Sequence, residues 1–406
     1  MTLTSAISKR NFYSLLWHAG FLAFAQSFMD IDTVIPAMLV DAGGSAVQIG
    51  ILTAIMLGGS SFTQLFFAPF ISNYNYKKRF LLLGINSRVL SLLGLGLLLL
   101  FSYLINEEYI IWIIFIMITV FSLGGAFSIV GYTDILGKSI ISSSRKSFFS
   151  AKQVVTGIIF IFSALLAKKM LTISVYPANY GYLFLIAFGA LFIASLGFWN
   201  LKEVIPSKMA VKSIGHFLHL VKTEITQNRK LGYFLGFINT MGISLSLLPF
   251  IILYAKEFYH TQSADTGLFL LYKVIGSVGA GFILFALARK YKYLYLLYGS
   301  AALAFILPLF ILLSSGIPSF VSIFFIGGII FTAYSISMNG VLLEVSGNEN
   351  RALYTGIAGA GNILPALFPL LSGWIIEQFG FKPFLILFMV IILSSLFFIY
   401  KIGCKK

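Results

Sequence analysis

The sequence predicts an all-α integral membrane protein of about twelve transmembrane helices in two six-helix pseudo-repeats, and three observations carry that prediction. Hydrophobic residues make up 59% of the 406 and charged residues only 10%, where a soluble domain has about 25% charged. The apolar runs are long: 81–105 holds a single charge, Arg88, and 383–400 holds none. Basic residues, finally, gather in every second gap between the runs, the pattern of loops retained on the cytoplasmic side.

Each run is long enough for about 20 helical residues to cross a hydrocarbon core of about 30 Å. In hydrocarbon every backbone N–H and C=O must be paired within the protein, so the runs are helices, and the alternating pattern of a barrel is absent. Spans are expected at 12–38, 46–70, 80–104, 109–131, 149–170, 180–201, 231–255, 264–288, 292–314, 317–343, 353–377 and 382–402. The first is too long for a signal-peptide core and reads as a span. Short polar or turn-forming segments such as Asp41-Ala42-Gly43-Gly44 and Asn106-Glu107-Glu108 join them.

With the N-terminus in the cytoplasm, the inner segments hold most of the 28 basic residues, from Lys9 and Arg10 through Lys77–Arg79 to Lys405 and Lys406. Lys168, Lys169, Lys256 and Lys382 fall on the other side; Arg88 and Lys273 lie well inside spans. Both termini are therefore expected inside, and the Ile-, Phe- and Lys-rich usage suggests a bacterial plasma or inner membrane. The net charge of +15 then reflects topology, and the expected partners are the lipid bilayer and a small-molecule substrate, with no nucleic acid.

Three regions follow: a six-helix half at 1–201, a cytoplasmic linker at 202–230 and a second half at 231–406. In the linker Ile214, Phe217, Leu218, Val221 and Ile225 recur at helical spacing, which predicts an amphipathic helix on the inner membrane surface. The halves also echo each other. Ser45 to Gly50 and Ser263 to Gly267 open the second and eighth spans, and Arg145-Lys146-Ser147-Phe148 matches Arg351-Ala352-Leu353-Tyr354.

This layout resembles the major facilitator superfamily over essentially the whole chain. Asp41-Ala42-Gly43-Gly44-Ser45 followed by Gly50 is similar to the family's segment leading into helix 2. The family's signature between helices 2 and 3 falls at Pro69 to Lys78, with Pro69 in place of its Gly, Asn73 in place of its Asp, and Lys77-Lys78 as the basic end. Helix 5 lacks a Gly-Pro-rich antiporter motif, Gly157 standing nearly alone. The resemblance implies a secondary active transporter or facilitator moving a small solute by alternating access, in a proton-coupled form or without coupling. A non-transporting sensor or assembly factor on the same scaffold is the alternative.

Charges inside spans cost roughly 2.5–3.5 kcal/mol each, so they need partners, water or a function. Asp30 and Asp32 on the first span and Lys273 on the eighth lie at similar depths, about 9–14 Å from the outer ends at helical rise. One aspartate is expected to pair with Lys273 or take up protons, with Lys273 also meeting an anionic substrate group; a purely structural ion pair is the competing reading. Arg88, on the third span, reads as a snorkelling side chain. Gln26, Asn239, Tyr272 and Asn362 can hydrogen-bond a polar substrate or join helices. Asp134 and Arg145, with Glu344 and Arg351 in the other half, are candidates for conformational latches, or are solvated loop charges.

Enzymatic chemistry is not expected. His18, His216, His219 and His260 are scattered, the lone cysteine is Cys404, and no phosphate-binding Gly-rich loop ends in Lys-Ser/Thr. No metal or cofactor is called for.

Overall fold

The computed structural model describes residues 3–207, 214–287, 293–346, 354, 357–359 and 361–403, and among them there is no strand. The helices are α1 (Ser5–Phe28), α2 (Val34–Asp41), α3 (Ala46–Ser72), α4 (Lys78–Leu100), α5 (Glu107–Ser139), α6 (Ser142–Ile173), α7 (Ala178–Asn200), α8 (Ile214–Gln227), α9 (Arg229–Gly242), α10 (Leu247–Tyr259), α11 (Ser263–Leu287), α12 (Tyr293–Leu312), α13 (Ile317–Ser346), α14 (Ile363–Phe379) and α15 (Phe381–Ile402). Among the described residues ten helical stretches are long and apolar enough to cross a membrane. The α1–α2 pair and α3 supply the remaining two of the twelve expected spans.

The first expected span, 12–38, is not one continuous helix. It stops at Phe28 and resumes at Val34, leaving Asp30 and Asp32 in the break. Pro36 is the third residue of α2. It has no N–H to offer the Asp32 carbonyl, and its ring would collide with that carbonyl in a continuous helix. Within the first turn of a new helix the missing donor costs nothing, because those N–H groups have no intrahelical partner. The seventh span behaves alike: a 3-10 turn over Ile243–Ser246 separates α9 from α10, whose third residue is Pro249. Pro365 occupies the same position in α14.

Turns follow local chemistry. After α2, Gly43 adopts φ +87°, and the Gly44 N–H reaches back to the Leu39 carbonyl at 2.8 Å, the bond that closes a helix on a left-handed residue.

The chain divides into two compact units. One comprises Met1–Asp30 and Phe62–Phe217; the other comprises Ile31–Ser61 and Leu218–Lys406. In the first, α4 and α5 cross where Gly84 and Gly124 meet: a Cβ on Gly84 would lie 2.5 Å from the Gly124 carbonyl oxygen, and one on Gly124 2.8 Å from that of Gly84. Polar bonds tie α1 to α7, with Trp17 Nε1 donating to the Ile193 carbonyl and Arg10 Nη2 to the Asn200 side chain.

In the second unit α11 and α13 cross at two glycines. A Cβ on Gly276 would strike the Phe325 carbonyl, and one on Gly328 the Lys273 carbonyl. Gly50 of α3 and Gly373 of α14 abut the Pro369 and Ala46 carbonyls in the same fashion. Residues 31–61, early in the sequence, thus pack with the chain's second half.

Candidate functional site

In the second unit, Lys273 of α11 forms an ion pair with Asp32, Nζ to Oδ2 2.5 Å, with side-chain exposures of 7% and 8%. The α11–α13 crossing fixes the lysine's backbone, and the helix break holds the aspartate. Beside them is a small cavity of about 10 Å³, lined by Asp32, Ser244, Leu248, Gly327, Phe331 and others. That is room for about one water molecule. The Ser244 hydroxyl, on the 3-10 turn of the seventh span, is buried there with no hydrogen-bond partner. The break, the ion pair and the unsatisfied hydroxyl therefore share one place.

Asp30 is also buried, one residue before the boundary between units. On a regular helix Asp30 and Asp32 would point apart; the interrupted backbone removes that constraint.

A second ion pair ties the far end of α2. Lys256 of α10 meets Asp41 at 2.6 Å, and the Ser263 hydroxyl donates to the same carboxylate. The Val47 N–H at the start of α3 donates to Glu377 at 3.0 Å.

The expected hydrogen-bonding residues separate. Asn239 holds the broken backbone before α14: its Nδ2 donates to the Gly361 carbonyl at 2.7 Å, and its Oδ1 accepts from the Leu364 N–H at 2.8 Å. Next to it, Asn362 Oδ1 is buried without a partner among the described residues. Tyr272 and Gln26 are exposed.

Of the latch candidates, Asp134 belongs to a charged cluster of the first unit. It meets Lys77 at 3.4 Å and Lys138 at 2.7 Å, and accepts from Ser207 at 2.7 Å. Glu203 completes the cluster. It pairs with Lys138 at 2.8 Å and accepts the Lys77 and Lys78 N–H groups, occupying the anion-favouring N-terminus of α4. Arg145 instead donates to the Gly137 and Ile140 carbonyls, capping the end of α5. Glu344 lies in the last turns of α13, and Arg351 falls outside the described residues.

Sequence reasoning passed over Glu203 and Ser244. For Glu203 a signal existed, an acid directly after the sixth span. For Ser244 there was none, since serine is common in spans and only the 3-10 turn sets it beside Asp32.

A multi-pass helical bundle with a charged pair set into a broken helix is the architecture of a membrane solute carrier. The sequence model of the Major Facilitator Superfamily matches residues 16–362, and the chain belongs to that superfamily: it is a secondary transporter of a small solute, which disfavours the non-transporting alternative. No curated protein matches the sequence. Similar solved structures include the nucleoside transporter NupG, with TM-score 0.70, 15% identity, and coverage of 97% of this chain and 98% of that one. A POT family transporter in complex with a thioalcohol-conjugated peptide gives TM-score 0.70, 13% identity and 97% coverage of each chain. A D-xylose–proton symporter gives 0.67, 14%, and 95% and 96%. At these identities the likeness establishes the fold alone.

Proposed function

We propose that transport by this chain is proton-coupled and that Asp32 and Lys273 form the coupling pair, with both termini in the cytoplasm of a bacterial inner membrane. The observation that carries the coupling is the buried ion pair in the helix break, beside room for about one water and the unpartnered Ser244 hydroxyl. Buried charges are held in place by each other: neutralising either leaves its partner in a low-dielectric site without compensation. A proton delivered to Asp32 therefore frees the Lys273 ammonium to find another acceptor, and loss of that proton restores the pair. Such an exchange changes the contacts on a backbone break, the kind of element that absorbs conformational change. The charge bias of the loops supports the orientation.

The test is uptake of a solute panel (nucleosides, sugars, peptides and organic acids) into proteoliposomes, with and without an inward proton gradient. Wild type should give gradient-driven flux; Asp32→Asn and Lys273→Ala should each reduce it at least about 10-fold, which corresponds to about 1.4 kcal/mol. Gradient-driven flux at the wild-type level in both variants would remove the pair from the coupling step.

A further inference from the structure

We propose that the first unit binds one anionic phospholipid, with an acyl chain in an apolar groove between α1, α6 and α7 and the phosphate at the cations that end the groove. The groove has a volume of about 710 Å³ and no charged side chain lines it; ligand sites span roughly 300–1,000 Å³. On α1, Tyr13, Trp17, Gly20 and Phe24 line it and recur every three or four positions, one face of a helix. Ile186, Ala190 and Ile193 do the same on α7, and Ile158 and Phe162 of α6 form the other wall. Small residues give the depth. A Cβ on Gly20 would lie 3.3 Å from Ile159 Cδ1, so α1 and α6 meet closely there, and Ala190 adds only a methyl. Trp17 Nε1 donates to the Ile193 carbonyl at 2.8 Å, so its one polar atom is satisfied across the groove.

The groove is open along its length: Trp17 is 47% exposed, Ile158 64% and Phe162 62%. On a chain that spans the bilayer, an open apolar face at this depth meets acyl chains. From Tyr13 to Phe24 the groove runs about 16 Å along α1 at helical rise, close to the roughly 15 Å that one leaflet contributes to the hydrocarbon core. Tyr13 and Trp17, at one end, are the residue types that favour the boundary between headgroups and hydrocarbon.

Charge at that same end selects the headgroup. Lys9 and Arg10 continue the α1 stripe, four and three positions before Tyr13. Arg10 crosses to α7 there: Nε donates to the Asn200 carbonyl at 2.9 Å and Nη2 to the Asn200 side chain at 2.6 Å. Asn200 is seven positions past Ile193, on the same stripe of α7. Lys202 is held beside them, its N–H donating to Asn11 Oδ1 at 2.8 Å. Lys9 and Lys202 are exposed, and Arg10 has further N–H donors beyond the two in use. The neighbouring acid, Glu203, is turned to Lys138 and to the Lys77 and Lys78 N–H groups. The end of the groove is therefore cationic, and basic groups at a membrane surface attract anionic lipid and bind its phosphate. On the orientation proposed above this is the cytoplasmic leaflet; the lipid assignment does not depend on that orientation or on proton coupling.

The experiment follows the fluorescence of Trp17 alone, in the full chain with the exposed Trp112, Trp199 and Trp374 replaced by Phe. The protein is reconstituted in phosphatidylcholine bilayers with rising fractions of phosphatidylglycerol brominated on its acyl chains. Bromine quenches at contact, so the titration reads occupancy of the groove. Phosphatidylglycerol should be preferred about 10-fold over equally brominated phosphatidylcholine, and Lys9→Gln with Lys202→Gln should lower that preference to about 2-fold. Lys169→Gln, exposed towards the opposite end of α6, should leave it unchanged. Ala190→Leu, which fills the floor, should cut quenching by both lipids; the charge variants carry the test if it fails to fold. Equal quenching by the two lipids would mean ordinary annular contact. A preference that survives the loss of Lys9 and Lys202 would place the headgroup elsewhere, and no quenching by either lipid would mean that a second copy or an amphiphilic solute covers the groove. Each of these three results overturns the proposal. Flux plays no part in the readout, so this site and the transport reading fail separately.

Discussion

At the scale of single residues, the ion pair and the asparagine clamp illustrate two uses of a buried polar group. Asn239 uses its amide as a patch, giving a donor and an acceptor to the backbone that the α14 break exposes. Its role is accounted for by the fold. Asp32 and Lys273 differ, because each meets an opposite charge. Removing one partner of a buried pair costs roughly 3–5 kcal/mol, whereas replacing both by apolar groups is often neutral. Lys273→Met should therefore lower the thermal unfolding midpoint, and Asp32→Leu combined with it should recover most of the loss. Gradient-driven flux should stay abolished in the double variant. Recovery of flux along with stability would mark the pair as structural.

At the scale of elements, helix crossings are set by glycines that are not interchangeable. Gly276 and Gly279 stand on one helix, three residues apart. A Cβ at Gly276 would collide with the Phe325 carbonyl, while a Cβ at Gly279 meets nothing within 4 Å. Gly276→Ala should destabilise by at least about 1–3 kcal/mol, the usual cost of overpacking, and should displace Lys273 one turn away. Gly279→Ala should be neutral or stabilising by about 0.5–1 kcal/mol, since alanine favours a helix interior. Folded yield and thermal midpoint in detergent decide between them; equal effects would mean that α11 and α13 do not cross at Gly276. The sequence revealed glycine-rich spans, but periodicity could not say which glycine faces a neighbouring backbone.

For the whole molecule, the division into units departs from the order of the chain. Residues 31–61 belong with 218–406, so the second half of the sequence lacks part of its own unit. Asp32 and Asp41 come from that early segment and neutralise Lys273 and Lys256, and Gly50 supplies a crossing surface for α14. A fragment of residues 214–406 expressed alone should therefore aggregate or be degraded. Co-expressed with residues 1–207, it should accumulate in the membrane and co-purify. A stable, monodisperse 214–406 fragment would show that the early segment is dispensable.

The sequence alone determined what the bilayer enforces. Runs of apolar residues long enough to cross hydrocarbon can satisfy their backbone only as helices, which made the span count and all-α class legible. The rarity of charge inside spans likewise singled out Asp30, Asp32, Arg88 and Lys273. Partner choice was decided by tertiary structure, because a charge in hydrocarbon advertises itself while its neighbour depends on how helices rotate and break. Pro36 and Pro249 broke the first and seventh spans, and the break allowed Asp32 to meet Lys273. Arg88 read as a snorkelling side chain until packing laid its guanidinium over Phe121. Helical periodicity fixes which residues share a face of one helix; which faces meet is a property of the packed bundle, and there the site was made.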